Sequence, residues 1–337
     1  LVTQSLATLG RNNLEAFQAT TEEELPKSKT THQRDFSIGI CATGKADNLS
    51  SLFRVIEEEN LPRNFILKKL ILVASGCESS VLDPIKSLSI QDRRIEIVEE
   101  GKRRGKANAV NEIIERAKGD FLIFINADAL PESGSISHLL EAISRDDGAG
   151  MVSGCPIIRT AKKSVPMARI LELMWAAHNR CSLELNHLSM GNHSTDELMV
   201  VRRKALCKLP QDIVNDGAYI AGVAKRKGFG IRFCNQALVT VDAPRDILGV
   251  IGQRRRILFG HIQVWKLTGS LPRTVESLLL ISPLLAIRVA VKTMASIPKL
   301  IAALPLAIVT ETFSLLFALY DSALETERHR IWKRYQS

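Results

Sequence analysis

From Phe36 onward the chain alternates apolar runs of strand length with amphipathic segments of helix length, and this alternation restricts the fold more than any other feature. "FSIGICAT" (36–43) reads as a strand, "ADNLSSLFRVIEEEN" (46–60) as a helix and "LKKLILVAS" (67–75) as a second strand. "KANAVNEIIERAKG" (106–119) reads as a helix closed by Gly119, and Phe121 to Ile125 as a third core strand. Strand, helix, strand, helix, strand implies right-handed crossovers, so the expected fold is α/β: a doubly wound, mostly parallel sheet flanked by helices. Ligands of such sheets bind beyond the carboxyl ends of the strands. Thr43, Ser75, Asn126 and Asp128 occupy such ends.

The stretch "GDFLIFINADALPESG" (119–134) ends its apolar run in Asn126-Ala127-Asp128 and a turn-forming Pro131. An Asp there serves equally as a turn residue bonding nearby backbone amides or as a ligand-binding carboxylate. Two glycine-loop solutions for a nucleotide are excluded by spacing. "GICATGKAD" lacks G-x-G-x-x-G, and "GKRRGKAN" has three residues between Gly101 and Gly105 and Ala107 where a P-loop needs Ser or Thr. A diphosphate ligand therefore needs a divalent cation on a carboxylate, with Lys or Arg beside it.

With 337 residues, 45% of them hydrophobic, the chain can bury a large core and carry an appendage. The six cysteines are dispersed and form no C-x-x-C pair, which fits a reduced, cytosolic setting. The net charge is +9, but residues 253–337 hold 12 Lys and Arg against 5 Asp and Glu, so the basic character is local and no nucleic-acid partner is expected.

Two further stretches carry chemistry. "IVNDGAYIAGVAKRKGFGIRF" (213–233) sets Asp216 before a helix, where it reads as an N-cap or as a functional carboxylate. "GQRRRILFGH" (252–261) places three arginines behind Gln253, as a solvated face, a membrane-phosphate patch or a ligand clamp; His261 reads as structural.

Over residues 36–265 the ordered set "ASGCESS", "GKANAVN", "INADA", "TDELMVVRRKAL", "NDGAY" and "QRRRI" resembles the family 2 glycosyltransferases of GT-A fold. The resemblance implies an inverting transfer of sugar from a nucleotide-sugar donor, with Mg²⁺ or Mn²⁺. The family's D-x-D maps onto Asn126-Ala127-Asp128, with Asp128 the metal ligand; the Asp of its E-D motif, the general base, maps onto Asp216; the Gln and Arg of Q-x-x-R-W map onto Gln253 and Arg256. Thr43, Ser75 and Lys106 complete the expected donor site. The chain departs from the pattern at Asn126, at Asn215 in place of Glu, at Ala74-Ser75-Gly76 where an acidic residue commonly reads the base, and at Ile257 in place of Trp. A non-catalytic scaffold and a nucleotidyltransferase are the competing readings.

After Gly269 the composition changes. "LIAALPLAIVTETFSLLFALY" (300–320) has 21 residues and one charge, Glu311, about enough to cross a bilayer core. "VESLLLISPLLAIRVAV" (275–291) is shorter and carries Arg288 and Pro283. The flank "ETERHRIWKRYQS" mixes Arg328, Arg330, Lys333 and Arg334 with Trp332 and Tyr335, which suits a cytoplasmic membrane surface. The alternative is a helical hairpin packed on the catalytic domain. The expected division is a polar extension (1–34) without a signal-peptide pattern, a catalytic domain (35–268) and a membrane-associated tail (269–337), with a glycan or lipid-linked acceptor and membrane lipids as partners.

Overall fold

The computed structural model describes residues 33–44, 48–159, 165–244, 246–324, Thr326 and His329, so nearly all of the N-terminal extension and most of the basic flank lie outside the described residues. The first half runs β1 (Arg34–Thr43), α1 (Leu49–Glu57), β2 (Phe65–Ser75), α2 (Ser79–Gln91), β3 (Ile95–Glu100), α3 (Lys106–Arg116) and β4 (Phe121–Asn126). The second half adds β5 (Ala129–Pro131), α4 (Ser135–Arg145), β6 (Ala149–Arg159), α5 (Val165–His187), β7 (Leu198–Arg202), α6 (Asp216–Arg226), β8 (Gly230–Asp242) and α7 (Ile247–Thr268). The tail forms α8 (Val275–Ile281), α9 (Pro283–Ser296) and α10 (Leu304–Ala323).

The eight strands form one sheet in the order β3-β2-β1-β4-β7-β6-β8-β5. β1 pairs in parallel with β2 and β4, as do β2 with β3 and β6 with β8. β7 runs antiparallel to both β4 and β6, and β5 antiparallel to β8, so the parallel half of the sheet is joined to a mixed half. The sequence pattern left out one unit: α2 and β3 lie between the second strand and the "KANAVN" helix, which makes the expected third core strand β4. β3 was hard to read because "IEIVEE" is half charged.

Strand alternation sends successive side chains to opposite faces and builds two cores. Phe36, Ile38, Ile40, Leu70, Leu72, Phe121 and Ile123 meet α1, α2 and α4 on one face. Ile71, Val73, Leu122, Phe124, Met199 and Val201 meet α3 and α6 on the other. Gly119 does not itself close α3, which ends at Arg116 with Ala117 as its cap. It lies two residues on with φ +94°, and a Cβ there would come within 2.4 Å of the Asp35 carbonyl, so only glycine lets β4 start beside β1.

One consequence of this topology matters most for the site. Parallel β1, β2 and β4 bring their carboxyl ends to one edge, while antiparallel β7 brings its beginning to the same edge. Residues just before β7, Asp196 and Glu197, therefore join Thr43, Ser75 and Asn126 there. α5 and α7 are 23 and 22 residues long and carry the tail. α8 and α9 pack on α5 through Leu278, Leu285, Val289, Cys181 and Leu185, and a turn at Pro298–Ala303 with Ala307 seats on Ile170 and Leu173. α10 meets Leu258 and Phe259 of α7 through Ala318.

Candidate active site

A cavity of about 680 Å³ opens at this sheet edge. Thr43, Ser75, Lys106, Asn126, Asp128, Gln253 and Arg256, every donor-site residue expected from the sequence, line it. Asp128 is exposed at the end of β4. Ser75 donates to Glu100 of β3, whose other carboxylate oxygen takes Arg104 at 2.8 Å; Glu100 itself is buried behind the cavity wall.

Asp216 is the first residue of α6 and is 3% exposed. It is not the cap: the Asn215 side chain accepts from Ala218 N at 3.0 Å, which leaves the Asp216 carboxylate for other partners. Lys106 Nζ lies 2.9 Å from Asp216 Oδ1, an ion pair without hydrogen-bond alignment, and 3.2 Å from Asp196 Oδ2. Asp196 also accepts from Gly217 N at 2.8 Å, which ties β7's entrance to the start of α6. Asp196 and Lys106 line the cavity, and Asp216 stands behind them.

The environment separates the two acids. Burial, then the Asp196 charge, raises the Asp216 carboxyl to about 7. Burial also works to raise Asp196, but Lys106 and the Gly217 amide outweigh it and hold Asp196 at about 2. Burial opposes the charge on Lys106, and the two carboxylates overcome it and keep the ammonium protonated. Glu197, beside Asp196, is raised to about 7 by burial and by the Asp196 charge.

The arginines of α7 divide between two jobs. Gln253 and Arg256 face the cavity, and Arg256 Nη2 donates to the Val214 carbonyl at 3.3 Å. Arg254 also lines the cavity, but there it bonds Glu311 of α10 and pairs at 2.8 Å with Glu276 of α8, while Arg255 bonds Asp321 of α10. Arg254 and Arg255 are thus neither a solvated face nor free for membrane phosphates. Ile257 lines the cavity where the family has Trp, but Trp175 of α5 lines it too, edge-on to His178 at 5.4 Å. His261 is no lone histidine: its Nε2 lies 3.1 Å from His193 Nε2, and His178 meets His193 edge to face. Burial holds His178 at about 3 and His193 at about 4 and pushes His261 down as well, so all three are neutral.

Carboxylate oxygens suit a hard divalent cation. Among the described residues no group of three or more His, Cys, Asp or Glu could hold a metal, so a cation here depends on ligand oxygens in addition to protein ones.

Asp196, Glu197 and Trp175 were not singled out as site residues from the sequence. "TDE" before a strand gave a signal for the first two, but their place at this edge follows from β7 running antiparallel. Trp175 sits on a long helix with no motif around it.

The architecture has a solved counterpart. A mannosyltransferase from Pyrobaculum calidifontis, in complex with GDP-Man and Mn²⁺, superposes with a TM-score of 0.60 over 96% of this chain and 98% of that one, at 17% identity. The fold is that of the GT-A glycosyltransferases. The model of glycosyl transferase family 2 matches residues 37–207, and the chain belongs to that family. It is similar to the poly-beta-1,6-N-acetyl-D-glucosamine synthases of Staphylococcus aureus (strain COL) and Staphylococcus epidermidis, at 22% identity over 201 residues in each case. That alignment covers 58% of this chain and 48% of those proteins, so the chain spans about half the length of the curated relatives it matches.

Proposed function

We propose that this family 2 chain is a glycosyltransferase that moves a sugar from a nucleotide-sugar donor to a membrane-proximal acceptor, lipid-linked or glycan, with inversion at the anomeric carbon. The observation that carries the proposal is that one cavity joins two unlike surfaces. At the sheet edge it is lined by Asp128, Lys106, Asp196, Gln253 and Arg256; under the tail it is lined by Leu171, Met174, Leu279, Leu280, Ile308 and Leu315. The polar end suits a sugar diphosphate and the apolar end a lipid-bearing acceptor.

Inversion requires the acceptor hydroxyl to attack opposite the departing diphosphate, with a base on one side and positive charge on the other. Asp216 is the base, and its raised proton affinity suits the task, because a base with a pKa near the working pH accepts a proton most effectively. Lys106 holds Asp196 and Asp216 together, so the hydroxyl proton enters a bonded pair of carboxylates. A second reading makes Asp196 the group that touches the hydroxyl, since it lines the cavity. Arg256 and Gln253 hold the diphosphate or orient the acceptor. Asp128 would hold the Mg²⁺ or Mn²⁺, which when bound would supply positive charge beside the leaving group. The pattern of mannosyltransferase and synthase relatives supports glycan assembly; the donor of the solved counterpart, GDP-Man, is one candidate donor for this chain.

We place the catalytic domain (35–268) on the cytoplasmic side, in keeping with six free cysteines, and the tail (269–337) at the membrane. Residues Pro298–Ala323 are long and apolar enough to cross a bilayer by length and composition, with mean hydropathy 2.0 over an 18-residue stretch.

The test is Asp216→Asn, which keeps size and hydrogen bonding but cannot accept the proton. Donor binding should persist while transfer falls by roughly 10²-fold or more. Near-normal transfer would remove Asp216 from the mechanism.

A further inference from the structure

The D-x-D position that resembles a metal site has lost its first carboxylate to Asn126, and the structure shows where a replacement stands. β4 and β7 are antiparallel with Ile125 opposite Leu198, so the next pair in register is Asn126 and Glu197. The Asn126 amide donates to the Glu197 carbonyl at 3.2 Å, which fixes that register one residue beyond the ladder. Cross-strand partners in an antiparallel pair project to the same face with Cβ atoms about 5 Å apart. Both Asn126 and Glu197 line the cavity, two residues along the chain from Asp128 in the first case. Glu197 Oε2 is sealed from solvent and has no hydrogen-bond partner. A buried carboxylate oxygen without a partner is costly, and a bound cation is one way in which such an oxygen is satisfied.

We propose that Glu197 is the second carboxylate of the metal site, acting with Asp128 in place of the charge missing at Asn126. Two protein carboxylates plus diphosphate oxygens are a sufficient ligand set for Mg²⁺ or Mn²⁺, which bind through one or two carboxylates and substrate phosphates. The site is thus built from two strands instead of one motif, and the register of β4 on β7 sets its spacing. This inference rests on the reading of Asp128 as a metal ligand.

Mn²⁺ binding followed by electron paramagnetic resonance tests it, with the full chain and UDP or GDP as the diphosphate. Glu197→Gln keeps the shape of the side chain, and its melting temperature reports whether the fold is kept. The expected result is a loss of Mn²⁺ affinity on the order of tenfold or more, because ligand charge sets the affinity of such sites. Adding Asn126→Asp to the Glu197→Gln protein should restore most of the loss, since it returns the carboxylate to the opposite strand. Unchanged Mn²⁺ affinity in Glu197→Gln, with binding abolished in Asp128→Ala, would overturn the inference and leave the Asp128 assignment standing. Failure of Asn126→Asp to restore binding in a folded protein would also overturn it. Retained binding in Asp128→Ala would instead overturn the metal site as a whole.

Discussion

Asp196 and Asp216 are the same residue type a few ångströms from one lysine, yet burial and bonding give them opposite tasks. Asp196 stays ionised through Lys106 and the Gly217 amide, whereas Asp216 is held at about 7. A base must be deprotonated to act, so transfer should be low below neutral pH and rise as pH passes through about 7. In Asp196→Asn the like charge beside Asp216 disappears while Lys106 remains, so the acid limb of the pH–rate profile should move to lower pH. Unchanged limbs in the variant would show that the two carboxylates are not linked. At this scale the sequence was partly legible. Asp128, Gln253 and Arg256 could be picked out because their motifs are local, and the structure brings them to one cavity. The N-cap question at Asn215-Asp216 could not be resolved from the sequence, since both residue types cap helices well. Glu197 was invisible as a partner of Asn126, because only the pairing of β4 with β7 brings residues 71 positions apart in the chain together.

α7 acts as the element that connects site and tail. Gly260 faces the start of α6, where an added Cβ would lie 2.8 Å from the Asn215 Cβ. Gly260→Ala should therefore push the Asn215 cap and the adjoining Asp216 out of place. We expect a stability loss of about 1–3 kcal/mol, the usual cost of overpacking, seen in thermal unfolding. A fall in the turnover rate larger than the fall in donor affinity would accompany it. Arg254→Ala should leave Glu276 and Glu311 without their cation and cost about 3 kcal/mol, as breaking a largely buried pair does, whereas Arg254→Ala with Glu311→Gln should recover part of it. Glu311 looked from the sequence like a lone charge in an apolar helix, and the structure gives the reason for it. Its partner lies 57 residues away in the "QRRR" run, a distance that no periodicity reveals. The alternating strands and helices were readable because each is decided by its own local pattern, while α2 and β3 escaped notice: Pro84 lies within the helix and the strand is half charged.

Among the described residues, exposed large apolar side chains concentrate on the tail helices. Ile281, Leu284, Val291, Phe313 and Leu316 are at least half exposed on α8, α9 and α10, an exposure that water does not favour. The tail is packed on α5 and α7 as a hairpin reading would have it, and it also exposes apolar side chains, as a membrane reading requires; local hydropathy does not separate the two readings, because an apolar helix serves either. The full chain should sediment with anionic vesicles and require detergent for extraction. Charged substitutions at Leu284 and Val291 should weaken that association without changing donor binding, and full solubility of the unaltered chain would contradict the membrane assignment. The central claim, however, is that the cavity at the sheet edge works on a nucleotide-activated sugar with a divalent cation. It is tested most directly by incubating the purified full chain with a panel of nucleotide-sugars, with Mn²⁺ or with chelator, and measuring release of the nucleoside diphosphate. The account predicts turnover of at least one donor that depends on Mn²⁺ and is lost in Asp128→Ala. Absence of both binding and turnover across the panel, or turnover indifferent to Mn²⁺ and to Asp128, would contradict it.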